Sequence, residues 1–277
     1  MLRARAALMG SRVALTAIAL VLFLASPGAL TVVSVQQEID IGREANAQVR
    51  KETPELRDPQ ITAYVSRLGR TLAAAAPGER YPYTFSVADY REINAFSLPG
   101  GPVWINRGVL AASTSESQVA GVLAHEIAHI AQRHAANQLM TVMLARWSLT
   151  ALGAMLGNTG GAATAQMAGA FVTNGVVLKF SRDDEREADR VGLQIMTKAG
   201  WNPRGMIELF EMLRREERRD PGAVDAFFST HPSPQDRIAE LTAATARSHG
   251  GIRDSVQFRA IKARLARMAP ARAMPAR

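Results

Sequence analysis

The sequence predicts a mainly α fold with one small β-sheet, an α+β domain. Apolar residues recur at helical spacing in several separate stretches, whereas only a short central region alternates or runs extended. The chain has 277 residues and is 47% hydrophobic, enough for a globular core, and it shows no internal repeat of fixed period. It has no cysteine, which excludes disulfides, thiolate metal sites and cysteine nucleophiles. Any metal must then be held by His, Asp or Glu.

The first 34 residues read as an export signal or a retained membrane anchor: Arg3, Arg5 and Arg12, then the apolar run "VALTAIALVLFLA", then "SPGAL". No charge falls between Val13 and Val35, a length that also suits a bilayer-spanning helix. The domain proper is expected over residues 35–250. Within it "QQEIDIGREANAQVRKE" and "PQITAYVSRLGRTLAAAA" carry helical periodicity, and "YPYTFSVAD" alternates as a strand. "INAFSLPGGPVWINRGVL" reads as two short extended runs around the Pro99-Gly100-Gly101-Pro102 turn. Ser113 and Glu116 fit a capping box opening the next helix. Residues 139–178 are apolar and glycine-studded, but Arg146 and "GNTGG" leave neither half long enough for a second membrane span. Helices follow at about 181–199, 204–219 and 234–246. Residues 251–277 read as a basic helix and a disordered end, "MAPARAMPAR".

The net charge is +8, yet the basic excess lies in the leader and in the last 27 residues, leaving the middle close to neutral. A nucleic-acid-binding core is therefore not expected.

The helix that Glu116 helps to open carries "VLAHEIAHIAQRH", residues 122–134. Side chains four apart lie one above the other on a helix, so His125 and His129 can aim at one ion. Glu126 can reach water at that ion as a general base. The flanks are apolar, so these side chains are expected to be buried, where polar groups without partners are costly and a shared metal resolves the cost. A catalytic zinc takes three protein ligands and keeps one position open. His134 is out of phase for the third and reads as a capping or surface residue. The leading candidate is "SRDDEREADRVG", residues 181–192: Glu185 and Asp189 are also four apart, so one carboxylate can bind the ion while the other accepts from a ligand histidine's outer N–H. Ala188 and Gly192 would let this helix pack closely on the first. Glu187 should face away, and Asp183, Asp184 and Arg186 read as a solvated face.

With "NAFSLPGGPVWINRGVL" and "STHPSPQDRI" added, these motifs resemble the gluzincin zinc metallopeptidase family of HtpX and the CAAX prenyl proteases. The similarity is greatest to its small exported bacterial members of the BepA type, here without tetratricopeptide repeats. The resemblance implies a zincin-like metallopeptidase domain with an HExxH active-site helix, and one Zn2+ per chain held by His125, His129 and Glu185. It implies Glu126 as base and Asp189 in support behind the ligands. By itself a histidine before Pro-Ser-Pro marks the start of the next helix; the resemblance brings His231 to the metal, to stabilise the oxyanion or to fill the open position, with Arg237 a weaker candidate of the same kind.

A peptidase holding an extended chain beside its metal commonly offers a strand edge. Phe96, Ser97, Leu98, Gly100 and Gly101 are candidates for that role, with a plain hairpin packed on the core as the alternative. The expected protein is a zinc endopeptidase of the periplasm or cell envelope, acting on unfolded or misassembled polypeptides. An envelope chaperone or assembly factor with gated proteolysis is the rival reading. Expected partners are a polypeptide substrate and membrane-surface or outer-membrane assembly factors, with no nucleic acid.

Overall fold

A computed structural model describes residues 33–138, 179–231, 235–246, 248 and 250–275. All but the last two residues of the expected leader, and the apolar stretch 139–178, lie outside the described residues. Among the described residues no helix is long and apolar enough to cross a membrane.

Two helices open the chain. α1 (Val35–Glu52) starts at a capping box in which Ser34 and Gln37 each bond the other's backbone N–H. α2 (Pro59–Ala73) has proline in its first turn, where the missing N–H is not needed, and Asp58 accepts from the N–H groups of Gln60 and Ile61. The sheet comprises β1 (Thr84–Ala88), β2 (Ala95–Ser97) and β3 (Pro102–Asn106) in the order β1-β3-β2. β3 is parallel to β1, with Phe85 opposite Val103, and antiparallel to β2, with Phe96 opposite Trp104. β2 is thus an edge strand. Gly100 and Gly101 turn the chain between β2 and β3 at φ values of 72° and 130°.

α3 (Arg107–Ala112) leads into α4 (Glu116–Ala131), the helix with the HExxH pattern. Every residue of α4 is buried, its Glu, Ser, Gln and His residues included. It runs through the middle of the domain, with α2 and β2 against it and two further helices, α5 (Arg182–Lys198) and α6 (Arg204–Arg219), packed on it. Small residues set these crossings. A Cβ on Gly192 would lie 3.4 Å from the Ala124 backbone, and one on Gly205 only 2.3 Å from the Ser117 carbonyl oxygen. The close approach expected from Ala188 and Gly192 is present. A 3₁₀ turn (Pro221–Ala223), α7 (Asp225–Thr230), α8 (Gln235–Thr245) and α9 (Val256–Leu265) complete the chain.

Two expectations need correction. The capping box at Ser113 is absent: α4 begins at Glu116 with Ser115 as its cap, Ser113 Oγ donates to Val109 O at the end of α3, and Gln118 Oε1 takes the Thr114 N–H. The short α3 occupies the residues that a Ser113 cap would have needed. The end of the chain is docked rather than free: Arg272 pairs with Tyr90, the Met274 N–H donates to Glu92, and buried Arg107 donates to the Ala269 carbonyl and to Asp89. The expected basic helix is present as α9, and it places Phe258, Ile261 and Leu265 in the same core as α2 and α4.

Candidate active site

Four elements converge on one buried cluster. α4 brings His125, Glu126 and His129; α5 brings Glu185 and Asp189; His231 stands at the end of α7; Arg237 comes from the first turn of α8. All seven side chains are buried. One ligand atom from each of His125, His129, Glu185 and His231 lies within 4.8 Å of the other three. His125 Nε2 is 3.1 Å from His129 Nε2 and 3.6 Å from Glu185 Oε2, and His129 Nε2 is 3.4 Å from Glu185 Oε1. Donors about 2.0–2.1 Å from a tetrahedral ion stand roughly 3.3–3.4 Å apart, so these separations suit joint coordination.

The electrostatics suit it too. Burial holds the His129 imidazole neutral, its pKa well below the ordinary histidine value despite Glu185 alongside. Burial alone would raise the Glu185 carboxyl, but His231, His129 and His125 overcome it and hold the group well below the usual carboxylate range. A neutral imidazole and an ionised carboxylate are the forms that bind a cation. His231 is raised: burial opposes its charge, but Glu185 and Glu126 outweigh that. Glu126 Oε1 is buried and has no hydrogen-bond partner among the described residues, although His231 Nε2 stands 3.4 Å away. Its other oxygen, Oε2, accepts from Ser97 Oγ at 2.9 Å. A buried carboxylate oxygen left without a hydrogen bond beside converging ring nitrogens fits a site built to hold a cation and water.

Behind the cluster, Asp189 Oδ1 is 3.1 Å from His125 Nδ1, and Arg237 donates to both Asp189 oxygens at 2.6 and 2.7 Å and to Glu185 Oε2. Burial would raise Asp189, but Arg237 and His125 reverse the shift and keep it ionised. The strand-edge candidates divide. Ser97 reaches Glu126, and Phe96 stacks on Trp104 with planes 4° apart. Leu98 is buried, its N–H donating to Pro102 O. The close approach that Gly100 and Gly101 allow is to the chain itself: added Cβ atoms would lie 2.4 Å from Ile39 Cα and 2.8 Å from Pro82 O.

Sequence reading missed the aromatic walls. Phe180 lies over the His129 ring at 3.9 Å between centroids, Phe227 stacks on His231 at 4.7 Å, and the Arg237 guanidinium sits 4.5 Å over Phe210. Phe227 and His231, four apart, carried a helical-spacing signal; Phe180 carried none. His134, expected as a capping or surface residue, is buried, with its Nδ1 2.9 Å from His129 Nδ1. The helical phase fails there because α4 ends at Ala131 and Arg133 takes a left-handed φ of 61°. That residue's guanidinium bonds Glu38 and the Val33 carbonyl. Glu187 points away from the cluster as expected, but its Oε2 lies 3.3 Å from His134 Nε2.

A family model described as Peptidase family M48 matches residues 55–245. The chain is 33% identical over 214 residues to the β-barrel assembly-enhancing protease of Escherichia coli K12, covering 75% of this chain and 43% of that protein. It is 32% identical over 212 residues to the mitochondrial metalloendopeptidase OMA1 of Schizosaccharomyces pombe, covering 76% and 61%. With the metalloprotease YcaL of E. coli K12 the identity is 27% over 190 residues, covering 66% and 72%. The chain thus spans less than half the length of the β-barrel assembly-enhancing protease.

Proposed function

Because the chain belongs to peptidase family M48, we propose that it is a zinc-dependent endopeptidase of the periplasm or cell envelope that cleaves unfolded or misassembled polypeptides. The observation that most supports this is the convergence of His125, His129 and Glu185 ligand atoms in a buried cluster, with, beside them, a Glu126 oxygen that has no hydrogen bond among the described residues. Two imidazoles and one carboxylate suit zinc, and the fourth position of such a site is left for water or substrate. When bound there, zinc would act as a Lewis acid that polarises the scissile carbonyl and makes water acidic.

The chain's own residues do the rest. Glu126 takes the proton from the attacking water and passes it to the leaving amine. Ser97, donating to Glu126 Oε2, holds that carboxylate in one orientation and leaves Oε1, which has no hydrogen-bond donor among the described residues and stands 3.4 Å from His231 Nε2, as the base. Asp189 orients His125, and Arg237 balances the charge of both buried carboxylates. The outer edge of β2, at Ser97, offers backbone pairing to an extended substrate, while Gly100 seats the turn after it against α1 and Gly101 seats that turn against Pro82. The envelope assignment rests on the export-type leader and on the β-barrel assembly named in the relative.

The test is zinc content and casein degradation by the full chain, with and without chelator. Glu126→Gln is expected to abolish cleavage while zinc stays bound; undiminished cleavage by that variant removes the mechanism.

One observation favours a second reading, an assembly factor whose proteolysis is gated. His231 Nδ1 lies 2.8 Å from Glu185 Oε1 and 3.4 Å from His125 Nε2, inside the donor set, where it can occupy the open position. His231→Ala separates the two readings. Faster casein cleavage supports a gate, and slower cleavage supports a role in the transition state.

A further inference from the structure

We propose that His134 is a positioning residue for His129, forming with Glu187 an outer relay that fixes which His129 nitrogen keeps its lone pair for the metal. The proposal rests on the reading of His129 as a ligand. His129 Nε2 faces the cluster, 3.1 Å from His125 Nε2 and 3.4 Å from Glu185 Oε1. Its other nitrogen, Nδ1, faces outward to His134 Nδ1 at 2.9 Å, and His134 Nε2 lies 3.3 Å from Glu187 Oε2.

Only one proton arrangement serves all three groups. If His129 Nε2 is to offer a lone pair inward, its proton sits on Nδ1 and donates to the lone pair of His134 Nδ1. The His134 proton then sits on Nε2 and donates to Glu187. The opposite tautomers would aim an N–H into the cation site. His125 is served differently, since its outer nitrogen faces the carboxylate of Asp189, which Arg237 pins. His129 thus has a neutral ring where its partner has an anion, with the charge one residue further out on a half-exposed glutamate.

The backbone is shaped for this contact. His134 comes five residues after His129, about 140° round a continuous helix. The left-handed Arg133 ends the helix and carries His134 back toward α5, with helical residues 134–138 following. Phe180 covers the face of the His129 ring, leaving its nitrogen edges as the points of control.

The test is zinc affinity of the full chain, measured by competition with a chromophoric chelator, for wild type, His134→Phe, His134→Asn and Glu187→Ala. Asparagine can accept the His129 proton through its carbonyl but fills the space poorly; phenylalanine fills it and accepts nothing. His134→Phe is expected to weaken zinc binding about 10–100-fold, with His134→Asn recovering most of the loss. A role in packing alone predicts the reverse order, and that order, or equal affinity for wild type and His134→Phe, overturns the proposal. Should either substitution at 134 prevent folding, Glu187→Ala carries the test: a loss of about threefold or more is expected, and none overturns the relay. A wild-type chain that takes up no zinc overturns the metal reading itself; a wild type that binds while its variants bind equally well overturns only the relay.

Discussion

Arg237 is where removal of one side chain should cost most. Its guanidinium is buried, bonds both oxygens of Asp189 and one of Glu185, and rests on the Phe210 ring. Truncating one member of a buried ionic network leaves the others desolvated and unbalanced, typically at about 3–5 kcal/mol. Arg237→Ala is expected to lose stability on that scale in urea titrations of the metal-free protein, and less with metal present, because a cation would offset the two carboxylates. His125, Glu126, His129 and Glu185 were legible in the sequence because their contacts follow helical spacing on two helices. His134 was not, because a left-handed arginine carries no mark in sequence, and the residue after it changes from outward to inward on that one dihedral. The aromatic walls were equally silent, since Phe180 meets His129 only once the two helices have docked.

Among the elements, α2 and α9 are tied by one carboxylate. Asp58 caps α2 and lies 2.6 Å from Arg264 Nε on α9. Partial burial works against its charge, but the Ile61 N–H, Arg264 and the Gln60 N–H outweigh that and hold its pKa below the ordinary aspartate value. The folded state therefore binds this proton more weakly than the unfolded chain does. Its contribution is complete above the unfolded value of about 4 and is lost as pH falls through the folded one. Asp58→Asn is accordingly expected to lower Tm at pH 7, with the gap to wild type closing as pH falls below 4. The long helices were readable from periodicity and caps such as Asp58 with Pro59. The six-residue α3 and α7 were not, being too short to show a period, and the unseen α3 is what displaced the expected cap at Ser113.

The whole molecule is closed by chain segments far apart in sequence. The strap after α9 supplies the Ala269 carbonyl to buried Arg107, pairs Arg272 with Tyr90 and bonds Met274 to Glu92. With Pro270 and Pro275 in a short segment it reads as disorder, because backbone pairing to a distant part of the chain leaves no local signature. Ending the chain after Arg267 is expected to cost about 1–3 kcal/mol, since Arg107 loses one of its two partners, and thermal unfolding of the truncated protein measures it.

The joining of α4 to α5 through the cluster has one more effect. Roughly fifty residues separate Ala131 from Arg182, so an ion bonded to both helices would act as a removable staple between points far apart in the chain. Resistance to unfolding would then follow the free zinc concentration of the surroundings, by about 2.7 kcal/mol at a hundredfold excess over Kd. Zinc starvation and heat would become interchangeable stresses for this protein, and a Tm that ignores added zinc would show that no such staple exists.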